Sequence, residues 1–131
     1  MKEIIRAQGA PCPATGPYSQ AIKVGNLLFI AGICGEKPGS WELAGGGTDI
    51  KAETTQVMEN LKAICEEAGG TIDDLVQVQL YVKDASIMPE FNEVYRSYFK
   101  EGCLPARIAA VVTGFIGTKA NFEILATAYI E

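Results

Sequence analysis

The sequence predicts an α+β domain in which two helices cover one face of a mixed sheet. Segments whose apolar residues repeat with period 2 or period 3.6 follow one another in the order β-β-β-α-β-α-β-β. The chain has 131 residues, the length of one domain, and we treat residues 1–131 as a single domain. With 48% hydrophobic residues, a chain of this length can bury a core without bridges or metal ions.

The N-terminal third is predicted to be built around a hairpin. Two apolar stretches, 21–24 and 27–31, flank Gly25-Asn26, a dipeptide that favours a type II′ turn. The segments around this hairpin are a short apolar piece at 4–5, an irregular Pro- and Gly-rich stretch over 9–17 and a long glycine-rich loop over 32–47.

Two helices are predicted in the rest of the chain. The first covers 49–68, with Asp49 as its N-cap and Gly69 just beyond its end. The second begins with Ser86 as its cap and ends before Gly102. Each has one apolar stripe at helical spacing, formed by Val57, Leu61, Ile64, Cys65 and Ala68 in the first and by Phe91, Val94, Tyr95, Tyr98 and Phe99 in the second.

Three further strands are predicted between and after these helices. The stretch 76–82 alternates apolar residues with uncharged polar ones, 108–112 is a continuous apolar run typical of a buried strand, and 122–130 alternates as well. The second face of the last strand carries Leu125 and Tyr129, so both faces of the sheet are predicted to be covered. Since two helices cover only one face, we expect a homo-oligomer in which sheets pack together.

Composition excludes several classes of function. The chain contains no histidine, which rules out Ser-His-Asp and Cys-His catalysis and any histidine-ligated metal. A net charge of −5 without a basic cluster argues against nucleic-acid binding. The four cysteines lack CxxC spacing, and no signal peptide or membrane span is visible, so we expect free thiols and a cytoplasmic location without membrane association.

Two charged residues beside apolar strands are the strongest candidates for chemistry. Arg107 directly precedes the stretch 108–112, and its planar guanidinium matches a carboxylate bidentately; the alternative is an exposed arginine at a sheet edge. Glu123 lies between Phe122 and Ile124, where burial would raise its pKa and allow proton transfer near neutrality; the alternative is a solvated strand end. If their strands pair antiparallel the two side chains diverge, so their meeting would require another chain or a parallel neighbour.

Several motifs together resemble the Rid family, also called YjgF, RidA or reactive intermediate deaminase and historically endoribonuclease L-PSP. The motifs are Gly16-Pro17-Tyr18-Ser19-Gln20-Ala21, Val24-Gly25-Asn26 with Gly32, Phe91-Asn92-Glu93-Val94-Tyr95, Pro105-Ala106-Arg107 and Glu123. The resemblance spans nearly the whole chain in the family's order. It implies a chorismate-mutase-like two-layer fold and a homotrimer with a central barrel, with three sites in the clefts between subunits.

The resemblance also implies an activity. The archetype is a 2-iminobutanoate/2-iminopropanoate deaminase, which hydrolyses reactive imines and enamines to 2-keto acids and ammonia. Arg107 would then clamp the substrate carboxylate, and Glu123 would hold the attacking water together with a backbone carbonyl near Ala109. Tyr18 and Asn92 would shape the pocket. The expected partners are a small imino or keto acid and two further copies of the chain, and no metal or organic cofactor is implied.

Four positions depart from the family pattern. Ala31 and Ile33 stand where the family often has serine and glutamine, and Ile108 and Ala109 replace small polar residues after the arginine. Lost hydrogen bonds at these positions would lower activity or shift the substrate toward a more apolar one. Two alternatives therefore stay open, an endoribonuclease of the L-PSP type and a non-catalytic trimer that binds small carboxylates.

Overall fold

Six strands form one mixed sheet, and two helices pack on one of its faces. The computed structural model describes residues 1–13 and 16–131, so two residues of the irregular stretch predicted over 9–17 lie outside it. The elements are β1 (Lys2–Ile5), β2 (Ala21–Val24), β3 (Leu27–Ile33), α1 (Ile50–Glu67), β4 (Leu75–Val82), α2 (Met88–Ser97), β5 (Ala106–Val111) and β6 (Phe122–Tyr129).

The strands are arranged in the order β1-β2-β3-β6-β4-β5. Strand β5 runs parallel to β4, whereas the other neighbours are antiparallel. This arrangement confirms the α+β class, the predicted order of elements and the mixed sheet. It also makes β5 an edge strand, and β6, the last strand of the chain, a central one.

Local signals in the sequence explain where the hairpin and the first helix begin. Gly25 adopts a φ of 58°, which fits the first central position of the predicted type II′ turn between β2 and β3. The Asp49 carboxylate accepts a hydrogen bond of 3.0 Å from the Ala52 amide, so the predicted cap of α1 is confirmed.

The core lies between the helices and the sheet. Helix α1 contributes the apolar stripe predicted from its period of 3.6, and β6 contributes every second residue, including Phe122 and Ile124, both fully buried. Phe91 of α2 packs edge-to-face on Phe122 at 5.0 Å between ring centroids. This layer fixes the position of β6 relative to both helices.

Two local predictions were wrong. The stretch 108–112 was predicted to be a buried strand, but β5 is largely exposed because it lies at the edge of the sheet with β4 as its partner. Ser86 does not cap α2. Asp84 caps a short 3₁₀ turn there by accepting from the Ser86 amide at 2.9 Å, and α2 follows that turn and ends at Ser97.

The sheet face opposite the helices carries large apolar side chains that nothing in the described chain covers. They include Ile4, Phe29, Ile108, Leu125 and Tyr129, which are between 38% and 58% exposed. The pairing of their strands places them on one surface. None of the described helices is both long enough and apolar enough to span a bilayer.

Candidate functional site

A cavity of about 560 Å³ opens where β3 ends and β6 begins. Its wall includes Tyr18, Ala31, Gly32, Glu36 and Glu123. Three of these, Tyr18, Ala31 and Glu123, were predicted site residues, and the fold brings them together from distant parts of the chain.

Glu123 is the half-buried carboxylate of this cavity. It lies on β6 opposite Tyr81 of β4, on the face away from the helices. A Cβ atom at position 32 would lie 2.5 Å from Glu123 Oε1, so a larger residue there would displace the carboxylate from its present position. Burial, and secondly the negative charge of Glu36, raise the pKa of Glu123 above its ordinary value.

Glu36 is a second carboxylate in the same cavity, and neighbouring side chains hold it in place. The Cys34 thiol donates to one of its oxygens at 3.3 Å, and the Thr118 hydroxyl donates to the other at 3.2 Å. Burial, and then the nearby charge of Glu36, raise the pKa of the Cys34 thiol to about 12. Cys34 is therefore a neutral hydrogen-bond donor at physiological pH rather than a nucleophile.

Helix α1 braces both walls of the cavity with buried polar side chains. The Asn60 amide donates to the backbone carbonyls of Cys34 and Glu36 at 3.0 and 2.9 Å. Glu53 accepts from the backbone and side-chain amides of Asn121 at 2.8 and 2.7 Å, just before β6 begins. Burial raises the pKa of Glu53 despite these bonds. The positions of Glu36 and Glu123 are thus set by the same helix.

Gln20 holds the N-terminal segment beside the cavity through hydrogen bonds to its backbone. Its side chain is buried and receives a hydrogen bond of 2.7 Å from the Ala7 amide. Its amide group donates to the carbonyl oxygens of Ala7 and Pro11 at 3.2 and 2.9 Å. Because Pro11 lines the cavity, Gln20 shapes that side of it through the backbone.

Arg107 lies in a separate cluster against α2. Its Nη1 donates to Asn92 Oδ1 at 3.0 Å, and its guanidinium lies 4.9 Å from the centre of the Tyr95 ring. The guanidinium is exposed and pairs with no carboxylate of the described residues. The Tyr95 hydroxyl is buried and has no hydrogen-bond partner in the described part of the chain. Arg107 therefore has N–H groups available for an external anion.

The predicted site residues thus fall into two groups on opposite faces of the sheet. Arg107 is in register with Val78 and Glu123 with Tyr81, so their Cα atoms are roughly 14 Å apart given the strand rise and strand spacing. Ala109 lies on β5, in register with Leu80, and therefore shares the face of Arg107. Within one chain, the guanidinium and the Glu123 carboxylate do not reach the same small ligand.

Several residues of this arrangement were not predicted, among them Glu36, Thr118, Asn60 and Glu53. Asn60 and Glu53 had a detectable signal, because both fall at helical spacing from Val57 on the apolar stripe of α1. A polar residue on such a stripe is buried and must be hydrogen-bonded. Glu36 and Thr118 lie in irregular segments, where no periodic pattern indicates direction.

A two-layer α+β fold with a carboxylate-lined cavity at the ends of two central strands, β3 and β6, defines this protein. The chain belongs to the Rid family, since the family model described as Endoribonuclease L-PSP matches residues 8–130.

Individual relatives agree over almost the full length of the chain. A RutC family protein of Pyrococcus horikoshii is 47% identical over 131 residues, which is all of both chains. A mouse protein named 2-iminobutanoate/2-iminopropanoate deaminase is 34% identical over 127 residues, covering 96% of this chain and 91% of its own. The crystal structure of RidA from an Antarctic Psychrobacter superposes with a TM-score of 0.88 at 39% identity, covering 98% and 99% of the two chains.

Proposed function

We propose that this protein is an imine and enamine hydrolase that converts 2-imino acids such as 2-iminobutanoate and 2-iminopropanoate to 2-keto acids and ammonia. The observation that carries the proposal is the half-buried carboxylate of Glu123, which lines the cavity and whose pKa burial raises above its ordinary value. The mouse relative, similar over nearly the whole chain, is named for this activity.

The proposal includes a homotrimer in which the site is shared between neighbouring copies. The uncovered apolar face supports it, because a surface of that kind favours burial against another copy. The separation of Arg107 from Glu123 supports it too. In a closed ring with a head-to-tail interface, the β5 edge of one copy lies beside the cavity of the next, and the uncovered faces form a central barrel.

In such a site each residue has a distinct role. Arg107, oriented by Asn92, binds the substrate carboxylate bidentately. Glu123 and the backbone carbonyl of Ala109 accept hydrogen bonds from a water molecule and aim its oxygen at C2. Tyr18 and Ala31 form the wall of the cavity beside the substrate.

Hydrolysis then proceeds in two balanced steps. The water oxygen bonds to C2 while the C=N electron pair moves to nitrogen, and Glu123 passes one water proton to that nitrogen. The resulting carbinolamine loses ammonia when its hydroxyl proton is transferred to nitrogen through Glu123 and the C–O bond becomes a carbonyl. The imine carbon is already electrophilic, so orientation and a held water supply most of the rate enhancement.

A trapping assay tests this function. An amino-acid oxidase generates 2-iminobutanoate in the presence of semicarbazide, which captures free imine. We expect the wild type to suppress capture and Arg107→Ala to be about a hundredfold less effective, since truncating one member of a desolvated charge pair costs a few kcal/mol. Arg6→Ala is the matched control, because Arg6 is exposed and is not among the residues that line the cavity. Failure of the wild type with several imino acids would refute the proposal.

Assays on the same purified proteins distinguish imine hydrolysis from two other functions. The description of the family model favours an endoribonuclease. That function predicts RNA cleavage and RNA binding that weakens steeply as the salt concentration rises, whereas the net charge of −5 argues against RNA binding. A non-catalytic trimer predicts carboxylate binding that depends on Arg107 without turnover. The non-catalytic function is favoured by the absence of polar side chains at Ala31, Ile108 and Ala109.

A further inference from the structure

We propose that Glu36 makes the cavity selective for 2-imino acids whose side chain ends in a positive charge. The inference rests on the proposed function and names the substrate class of the same site. It concerns the part of the cavity that Glu36 lines.

The charge of the cavity is the first observation. Glu36 and Glu123 both line it, and none of the described residues around it is basic. The negative charge of Glu36 is one cause of the raised pKa of Glu123, so the two carboxylates repel each other. A cation bound near Glu36 would relieve that repulsion.

The second observation is that Glu36 is held in a fixed position. Its backbone is bound by Asn60, and its two oxygens accept from Cys34 and Thr118. Thr118 is itself held by the Ala120 amide, which donates to its hydroxyl at 3.1 Å. A solvent-exposed glutamate on a loop lacks such a set of neutral hydrogen-bond donors. These donors orient the carboxylate without cancelling its charge.

The two carboxylates enter the cavity from different segments, Glu123 from β6 and Glu36 from the loop after β3. The Glu123 carboxylate lies over Gly32, whereas Glu36 is four residues further along the chain. The cavity of one chain, about 560 Å³, has room for an imino acid with a long side chain. Trp41 and Tyr18 add aromatic wall, and aromatic faces attract cations. An imino acid whose reacting carbon lies beside Glu123 would therefore extend its side chain toward Glu36.

The experiment compares imines made from L-arginine and L-citrulline by an amino-acid oxidase. The two side chains have nearly the same shape, but the guanidinium is charged and the ureido group is neutral. We expect the wild type to suppress semicarbazide capture of the arginine imine about tenfold more effectively, the worth of one charge-assisted hydrogen bond. Glu36→Gln should remove that preference and Glu36→Asp should retain part of it. Glu42→Gln, on the same loop and exposed, should behave like the wild type.

Each other outcome has a definite meaning. Equal action of the wild type on both imines would overturn the inference while leaving the proposed function intact. An equal loss on both imines in Glu36→Gln would also overturn it, because Glu36 would then act at the reacting nitrogen. If no imine is hydrolysed, including one made from norvaline, the proposed function fails. Calorimetric binding of arginine and citrulline then decides the inference, and equal affinities of the wild type would refute it.

Discussion

Mixing two inactive variants tests whether the site is shared between copies. Arg107→Ala removes the proposed carboxylate clamp, and Glu123→Gln removes the proposed base. The two residues lie on opposite faces of the sheet, roughly 14 Å apart by strand rise and spacing, so one chain cannot apply both to a small acid. Each variant alone should be nearly inactive, whereas mixed oligomers should contain some complete sites.

The size of the recovery follows from the symmetry. In a ring, each site takes Arg107 from one copy and Glu123 from the next. When the two variants are unfolded together in equal amounts and refolded, half of the chains carry each intact residue. About one quarter of the sites should therefore be complete, and activity should return to about one quarter of the wild-type value.

The assay is suppression of semicarbazide capture of 2-iminobutanoate, measured after co-refolding. Each variant refolded alone and wild type refolded in parallel serve as controls, and two different affinity tags report whether mixed oligomers have formed. Mixed oligomers without recovered activity, beside an active refolded wild type, would refute the shared site.

Three further predictions concern the core, the open sheet face and the cavity. Ile124→Ala should lower the free energy of unfolding in urea by about 2–5 kcal/mol at fixed protein concentration, because Ile124 is fully buried. The control Ile116→Ala, at a fully exposed position, should change it by less than about 0.5 kcal/mol. Equal effects of the two substitutions would contradict this placement of the core. Phe29→Lys places a charge on the uncovered apolar face and should therefore dissociate the proposed oligomer into 14 kDa chains, as measured by light scattering. An unchanged oligomer mass would show that this face is not the interface. Imine hydrolysis should fall as the pH is lowered through the raised pKa of Glu123, because Glu123 must be ionised to act as a base. In Glu36→Gln this fall should move to lower pH, because burial alone then raises the pKa of Glu123. Coincident pH profiles of the two proteins would contradict the coupling between the carboxylates.

The elements themselves could be predicted because their signals are local. The apolar stripe of α1, its cap at Asp49 and the Gly25 turn each depend on residues within one or two turns of chain. The error at β5 has the opposite origin. An apolar run is equally compatible with a central strand and with an edge strand whose apolar side chains face a partner, so its composition cannot show its place in the sheet.

The candidate site was predictable only in part for the same reason. Arg107 and Glu123 stood out because each charge adjoins an apolar strand, and the motifs around Tyr18 and Asn92 resemble a known family. Nothing local indicated that Glu36 would enter the same cavity as Glu123, since that depends on the path of an irregular loop across α1.

The sequence by itself determined the class of fold, the order of the elements, the family and the chemistry that is impossible without histidine. These properties follow from periodicity, turn residues and composition, all of which act over short distances along the chain. Only the tertiary structure decided that Arg107 and Glu123 lie on opposite faces, that β5 is an edge and that α1 holds two carboxylates at one cavity. Those facts depend on how distant segments pack against one another, and that packing is a property of the whole core.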